Sequence, residues 1–244
     1  AGKVIESITS LYHDRHNIIA QFHEWMTGTG ILYLEKFAPW IATAFTTHAT
    51  VLGRSIAGNN RPLYGKMKEY NPVQISREFN VVAKQSLEKT SAAEADVFTT
   101  VSEITSRECS FFLGKEVDLV TPNGFEDSFV PSAESFEEKR QAARSKLKAV
   151  AEAVLGYSLA DNCMFIANSG RYEFHNKGVD ILIDSLGELN QESDLARECV
   201  TFILIPAYHK GPRQDLIDIL YNNGQVSGTD KYLTHSLHYP DSDP

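Results

Sequence analysis

The stretch CMFIANSGRYEFHNKGVDILIDSL, residues 163–186, decides the fold of this chain. It opens with the short apolar run Cys163–Ala167, continues through a polar turn, and closes with apolar residues at positions 179, 182, 183 and 186. That last spacing places the apolar side chains on one face of a helix, whereas the opening run has the length and composition of a buried strand. A strand that leads through a turn into a helix is the repeating unit of a parallel α/β sheet.

Five further apolar runs of similar length alternate with amphipathic segments along the chain. They are rich in β-branched and aromatic residues, so each is predicted to form a strand: Ile18–Phe22, Ile41–Phe45, Val97–Val101, Val117–Thr121 and Val200–Ile205. Several are apolar on both faces, which is typical of parallel strands covered by helices on each side. The alternation predicts right-handed crossovers and Rossmann-like sheets, so the predicted fold class is α/β.

Helix boundaries are predicted from capping residues. The residues SFEE at 135–138 have the form of a capping box, which opens a helix that Gly156 ends. Ser102 and Asn176 are each predicted to cap a further helix. The polar segment Ser76–Ala95 is predicted to be helical as well.

A weakly patterned segment, Asn123–Glu134, separates four of the predicted strands from the other two. It combines turn residues, a proline and acidic residues, and a length of 244 residues leaves room for two small domains. We therefore predict one Rossmann-like domain over residues 1–130 and a second over residues 131–244. Residues 222–244 show no strong periodicity and are predicted to form a loop or a frayed end.

Composition and charge argue against several classes of function. Apolar residues make up 42% of the chain and charged residues 23%, as in ordinary globular domains. The net charge of −9 argues against nucleic acid and anionic membranes as partners, because both require a basic surface. No apolar run approaches the roughly 20 residues of a membrane-spanning helix. The 3 widely spaced cysteines fit neither a disulfide framework nor a CxxC metal site, so a cytoplasmic location is expected.

Polar and reactive residues follow the predicted strands at their carboxyl ends, where ligands bind in open parallel sheets. His23 and Glu24 follow the first strand, and His48 follows the second. Asn123 follows the fourth strand, and Arg54 lies six residues after His48. We take these five as candidate site residues. For each histidine, a ring hydrogen-bonded within its own loop is the alternative interpretation.

The segment GRYEFHNKG, residues 170–178, is the strongest candidate site. Gly170 allows a sharp turn at the strand end, and Arg171 and Lys177 place two cations before and within the first turn of a helix. This arrangement suits a diphosphate, because free N–H groups, a guanidinium and an ammonium all favour anionic oxygens. The alternative is that Arg171 pairs with Glu173 and that Lys177 is solvated. Walker A, GxGxxG, GxSxG and HExxH motifs are absent from the sequence, and no metal site is expected.

Five strings of the sequence, in their order along the chain, match one enzyme family: FHEW (22–25), FTTHATVLGR (45–54), VFTTVSEIT (97–105), DLVTPNGF (118–125) and SGRYEFHNKGVDILIDSL (169–186). Together with their surroundings they cover the chain from about residue 17 to 210. The sequence therefore resembles the glycogen synthases, in the glycosyltransferase group that includes the animal and fungal enzymes and some bacterial ones.

The resemblance implies a GT-B fold, in which two Rossmann-like domains face each other across a cleft. Residues 1–130 would form the later part of the N-terminal, acceptor-side domain, and residues 131–244 the first part of the C-terminal, nucleotide-sugar domain. The implied reaction transfers glucose from UDP-glucose to the non-reducing end of an α-1,4-glucan such as glycogen. The family retains the anomeric configuration and needs no metal ion or other cofactor.

The resemblance also implies roles for the candidate residues. Catalytic roles fall to His48, Arg171 and Lys177. The two cations would hold the UDP diphosphate, together with Gly170 and with Arg54 near it, and His48 would contact the donor glucose. The residues that would line the cleft are His23, Glu24, Asn123 and Tyr172.

Two features of the family do not occur in the sequence. The Lys-Val-Gly-Gly-type loop after the family's first strand is missing, and no glutamate after residue 186 has a second glutamate eight positions on, as the family's E-x7-E motif requires. We therefore expect the chain to be an incomplete part of the enzyme that is inactive alone. A GT-B transferase with another donor, such as ADP-glucose, or another acceptor stays open, as does a non-catalytic module that binds nucleotide sugars or glucan. Regulation and assembly into a homo-oligomer are also left open.

Overall fold

A computed structural model describes residues 1–12, 17–192, 196–222 and 232–239 of the chain. The chain divides into two compact units, Ala1–Phe125 and Glu126–Pro244. The division lies within the weakly patterned segment 123–134. The assignment of residues 1–130 to an acceptor-side domain and of residues 131–244 to a nucleotide-sugar domain stays a prediction.

The first unit is built on four parallel strands in the order β1-β2-β3-β4. They are β1 (Ile19–His23), β2 (Ala42–Thr47), β3 (Val97–Thr100) and β4 (Leu119–Val120). The four strands predicted here are confirmed, with ends that differ by up to two residues. β1 and β2 pair from Ile19 opposite Ala42 to His23 opposite Thr46, so their carboxyl ends are level.

Helices connect and cover these strands. They are α1 (Gly2–Thr9), α2 (Glu24–Thr27), α3 (Thr29–Phe37), α4 (Val51–Gly58), α5 (Leu63–Lys66), α6 (Pro72–Glu78), α7 (Val82–Glu94) and α8 (Glu103–Glu108). A 3-10 turn at Met67–Glu69 follows α5, and a π-helical turn at Cys109–Leu113 continues α8. Ser102 caps α8 as predicted, because its Oγ accepts the Thr105 N–H at 3.2 Å.

The segment Ser76–Ala95, predicted to be helical, is helical in two parts, the end of α6 and the whole of α7, with a turn between them. Asn80 in that turn has φ 54°, a left-handed conformation through which a helix cannot continue. Asn71 caps α6 by accepting the N–H groups of Val73 and Gln74. Asparagine is one of the few residues that adopts the left-handed conformation readily, so Asn80 was the local signal for the break.

The core of the first unit fixes the start of α4 relative to β2. Phe45 and Phe98, on adjacent strands, are fully buried and stack with ring centroids 5.8 Å apart. Leu52 and Ile56 of α4 are fully buried in a second cluster, which also contains Phe112. Because both ends are anchored by buried apolar side chains, the turn between β2 and α4 has a defined position.

The second unit contains two parallel strands, β5 (Met164–Ser169) and β6 (Cys199–Leu204). Both predicted strands are confirmed within two residues. The helices are α9 (Ala133–Leu155), α10 (Val179–Leu189) and α11 (Gln214–Tyr221), and a 3-10 turn at Asp127–Phe129 precedes α9. Parallel strands alternate with helices in both units, so the predicted α/β class with parallel sheets is confirmed.

Two predicted helix starts in the second unit are wrong. α9 begins at Ala133, ahead of the predicted capping box at 135–138, although it ends as predicted at Gly156, whose φ is 81°. α10 is preceded by Gly178, with φ 65°, and is not capped by Asn176. The left-handed conformation of Gly178 turns the chain into the helix, so the helix starts two residues later than an Asn176 cap requires.

The C-terminal region contains a strand that its weak periodicity did not predict. His235–Leu237 (β8) pairs in antiparallel fashion with His209–Pro212 (β7). Two parts of the predicted loop, residues 223–231 and 240–244, lie outside the described residues. Across the described ranges, no helix is both long and apolar enough to cross a bilayer.

Candidate functional site

The carboxyl ends of β1 and β2 bring two predicted site residues into contact. His23 ends β1 and His48 follows β2, and Nδ1 of His23 lies 3.1 Å from Nε2 of His48. The ring centroids are 5.4 Å apart. At this separation one nitrogen donates a hydrogen bond and the other accepts it, so the tautomers of the two rings are coupled.

Glu24 joins the same cluster through the backbone. Its Oε1 accepts the N–H of His48 at 3.1 Å. Glu24 itself has φ 65°, a left-handed conformation that costs a residue with a side chain about 1–2 kcal/mol. Backbone strain of this kind concentrates at functional sites. The structure therefore groups His23, Glu24 and His48 at one sheet edge, while their roles toward a ligand stay predictions.

Two buried glutamates that the sequence analysis missed hold the turn that carries His48. Glu88 of α7 is 0% exposed and Glu108 of α8 is 3% exposed. Glu88 accepts the Thr47 hydroxyl through Oε1 and the Val51 N–H through Oε2, each at 2.9 Å. A signal for Glu88 existed in the sequence, because it lies three residues before Ser91 and four before Ala92 on the buried face of α7.

Burial changes the acid–base behaviour of Glu88. Removal from water raises the pKa of its carboxyl to about 7, and hydrogen bonds from Val51 and Thr47 oppose this rise. The negative charges of Glu24 and Glu108 add to it. Near neutral pH the carboxyl is therefore divided between its protonated and ionised forms.

Glu108 holds the first turn of α4. Its Oε2 accepts the Thr50 hydroxyl at 2.9 Å, and its Oε1 accepts the Tyr64 hydroxyl at 2.8 Å. Burial and this hydrogen bond raise the pKa of Tyr64 to about 12. A Cβ on Gly53 would lie 2.1 Å from Oε2 of Glu108. Only glycine at position 53 allows the carboxylate to approach α4 this closely.

The other two candidates of the first unit lie on other segments than the histidine pair. Arg54 is half-buried on α4. Asn123 is exposed in the segment after β4, and β3 lies between β4 and β2 in the sheet. Two strand spacings amount to about 10 Å, which separates the ends of β4 and β2.

In the second unit, residues 170–178 follow β5 and bring Gly170, Arg171 and Lys177 together. The stem of Lys177 packs over Gly170, where a Cβ would lie 3.3 Å from Cγ and Cδ of the lysine. A Cβ at position 170 would therefore require the lysine stem to move by a few tenths of an ångström, and Gly170 is not among the residues with a left-handed φ. Arg171 pairs with Glu173 at 3.1 Å while its side chain is 62% exposed. That ion pair is the alternative considered for Arg171 in the sequence.

The start of α10 differs from the prediction in two respects. Lys177 lies in the turn before the helix, not within its first turn. The Asp180 carboxylate bonds His175 Nδ1 at 2.8 Å and also accepts the backbone N–H of Ile181. The bond to His175 holds the pKa of Asp180 below its usual range. The helix N-terminus is thus partly occupied by its own carboxylate, and an anion at this turn depends mainly on Arg171 and Lys177.

A cavity of about 560 Å³ opens beside this turn. Its volume is in the range of small-molecule sites. Tyr172, exposed and predicted to line the ligand cleft, forms part of its wall with Phe174, Val179, Ile183, Thr201 and Ile203. The buried Oδ1 of Asn168, three residues before Arg171, has no hydrogen-bond partner within the described ranges.

The two clusters offer different chemistry. The histidine pair provides ring nitrogens at a polar strand end, which can bond sugar hydroxyls. The Arg171 and Lys177 turn provides two cations suited to phosphate oxygens. Among the residues that the structure describes, no three His, Cys, Asp or Glu side chains are placed to hold a metal ion together.

Comparison with known proteins identifies relatives over most of the chain. A family model described as glycogen synthase matches residues 2–213. The glycogen [starch] synthase of Dictyostelium discoideum is 37% identical over 200 residues, which are 78% of this chain and 22% of that protein. The liver enzyme of Rattus norvegicus is 35% identical over 203 residues, 80% of this chain and 28% of that protein. The enzyme of Neurospora crassa is 32% identical over 205 residues, 80% of this chain and 29% of that protein. The chain therefore spans about a quarter of the length of these relatives.

Proposed function

The chain belongs to the glycogen synthase family, and from this premise we propose that it forms part of the donor site of a glucosyltransferase of glycogen synthesis. The proposed donor is UDP-glucose and the acceptor is the non-reducing end of an α-1,4-glucan. Transfer would proceed with retention of configuration and without a metal ion. The observation that carries the proposal is the turn 170–178, where Arg171 and Lys177 flank Gly170 at the end of a parallel strand.

The ion pair of Arg171 with Glu173 is compatible with this role. A pair on a side chain that is 62% exposed contributes at most about 1 kcal/mol, since water screens it. A diphosphate offers the guanidinium two charged oxygens in bidentate geometry, which makes stronger, charge-assisted hydrogen bonds. The diphosphate would therefore displace Glu173 from Arg171 at small cost.

Lys177 adds a second cation to the same turn. No ion pair is assigned to it within the described part of the chain, and its stem is held against Gly170. Lys177 is exposed, and its ammonium would stabilise the charge that develops on the diphosphate as the bond to glucose breaks. We assign this role to Arg171 and Lys177 jointly, and the contact with the donor glucose to His48.

A binding experiment on the chain tests the diphosphate role. Arg171→Ala and Lys177→Ala are each expected to weaken UDP binding by about 10- to 100-fold, the loss for a hydrogen bond between charged groups. Arg140→Ala is the matched control, since Arg140 is also an exposed arginine paired with a nearby glutamate, Glu137, at 3.1 Å. Isothermal titration calorimetry would measure the three affinities. Equal affinity of wild type and Arg171→Ala would refute the diphosphate role.

An activity experiment on the full gene product tests the reaction. Glucose transfer to glycogen is expected from UDP-glucose in preference to ADP-glucose, and to persist in EDTA. The product's anomeric configuration, read by NMR, tests retention. Binding of UDP-glucose or glycogen without any transfer would replace the proposal by the non-catalytic alternative.

A further inference from the structure

The turn between β2 and α4 is braced from both sides of His48 by one buried carboxylate. Oε1 of Glu88 bonds Thr47, the residue before His48, and Oε2 bonds the N–H of Val51, three residues after it, each at 2.9 Å. The partners lie 41 and 37 residues from Glu88 in the sequence. Glu88 therefore ties both ends of the turn to α7.

The two hydrogen bonds of Glu88 differ from those of a surface residue because Glu88 is buried. Its side chain is 0% exposed, whereas His48 within the braced turn is only half-buried. Burying a carboxyl group is unfavourable, and apolar side chains of similar volume can replace such groups without loss of stability. Packing alone therefore gives no reason for a glutamate at this position, whereas a bond to each end of the turn does.

We propose that Glu88 is a positioning residue, which fixes the turn so that the His48 ring is held at the donor site. This inference rests on the proposed role of His48. The carboxyl group acts through Thr47 and Val51 and does not itself reach the ligand. The His48 ring is then constrained by its bond to His23 at 3.1 Å and by its braced backbone.

Three other ionisable groups face this carboxyl. Glu24 is the first residue of α2, and Glu108 is the last residue of α8. Cys109 lies after α8, and burial, with the charges of Glu88 and Glu108, raises the pKa of its thiol to about 12. The side chain that donates a hydrogen bond to Glu88 is Thr47, through its hydroxyl. When the carboxyl is protonated, the Thr47 hydroxyl oxygen can instead accept a hydrogen bond from it. Both forms of Glu88 thus retain an oxygen for Val51.

Three substitutions of Glu88, made in the full gene product for the kinetic measurements, separate positioning from structural support. Gln keeps an oxygen for the Val51 N–H and offers an N–H to the Thr47 hydroxyl, so Glu88→Gln should keep most of the wild-type kcat. Glu88→Asp shortens the side chain by one methylene, so it cannot bond both ends of the turn. Glu88→Ala removes both bonds. For Asp and Ala we expect kcat to fall by up to about 100-fold, as for a misplacement of about 1 Å, with a smaller change in the KM for UDP-glucose.

Asp96 provides a matched control at the opposite end of β2. Its carboxylate also accepts one backbone N–H and one threonine hydroxyl, both from Thr43, at 2.7 and 3.2 Å. Asp96→Ala removes the same kinds of bond away from His48, so kcat should be unchanged.

The NMR signals of the His48 ring, recorded on the chain itself, supply a readout that does not depend on turnover. We expect them to shift in Glu88→Asp and Glu88→Ala and to stay in place in Glu88→Gln and Asp96→Ala. Unmoved His48 signals in Glu88→Asp, or wild-type kcat in both Glu88→Asp and Glu88→Gln, would overturn the inference even if Glu88→Ala fails to fold. A wild-type gene product without transferase activity would instead refute the proposed function, and the ring signals would still decide whether Glu88 positions His48.

Discussion

Replacing Glu88 by glutamine should remove a pH-dependent loss of stability from the first unit. The pKa of Glu88 is raised to about 7 in the folded chain, from 4.5 for an ordinary glutamate, because burial disfavours the charged form. The folded state then holds a proton that the unfolded state has released. The contribution of Glu88 to the free energy of unfolding is fully present below pH 4.5 and is lost as the pH rises through 7.

The size of the effect follows from the two pKa values. A difference of about 2.5 units corresponds to about 3 kcal/mol over the whole range, of which about 2 kcal/mol is lost between pH 5.5 and 8. Glutamine is neutral at both pH values and has nearly the same shape. The free energy of unfolding of Glu88→Gln should therefore rise by about 2 kcal/mol relative to wild type on going from pH 5.5 to 8.

Urea unfolding followed by tryptophan fluorescence measures this quantity. The chain has 2 tryptophans, Trp25 and Trp40, and both lie in the first unit. Subtracting the free energy of unfolding of the wild type from that of the variant at each pH removes the contributions of the other titrating groups, which the two proteins share. Glu35→Gln, at an exposed position of α3, controls for the loss of one negative charge. A difference between Glu88→Gln and wild type that stays constant within about 0.5 kcal/mol from pH 5.5 to 8 would refute the argument.

Two glycine pairs supply further tests. Gly53→Ala should destabilise the first unit by about 1–3 kcal/mol in the same unfolding assay, because its Cβ would lie 2.1 Å from Glu108. Gly65→Ala, with no atom within 4 Å of its Cβ, should be neutral or slightly stabilising, and equal effects at the two positions would contradict the packing argument. Gly178→Ala should destabilise the start of α10 by about 1–2 kcal/mol, since φ is 65° there. Gly187→Ala, inside α10 with open space around its Cβ, should stabilise the helix by up to about 1 kcal/mol. Hydrogen exchange of the α10 amides measures both, and faster exchange in Gly187→Ala than in Gly178→Ala would contradict the backbone argument.

Local patterns in the sequence predicted six of the eight strands within the described residues, and two helix caps. The apolar runs form β1 to β6, with ends within two residues of the prediction. Ser102 caps the start of α8 and Gly156 ends α9, as expected. These features depend on neighbouring residues only, because side-chain spacing and capping act within one turn of the chain. The unpredicted break within Ser76–Ala95 and the error at Asn176 arose where a left-handed residue, and not the periodicity, decides where a helix begins or ends.

The sequence by itself determined which residues stand at the strand ends, and so predicted that His23 and His48 lie at one sheet edge. It also predicted the two cations of the turn 170–178. Only the tertiary structure decided what holds these residues in place. Glu88 meets Thr47 and Val51 across 41 and 37 residues of sequence, and its ionisation depends on exclusion of water by the packed core. Contacts of this range follow from the packing of α7 against the sheet, which no local spacing specifies.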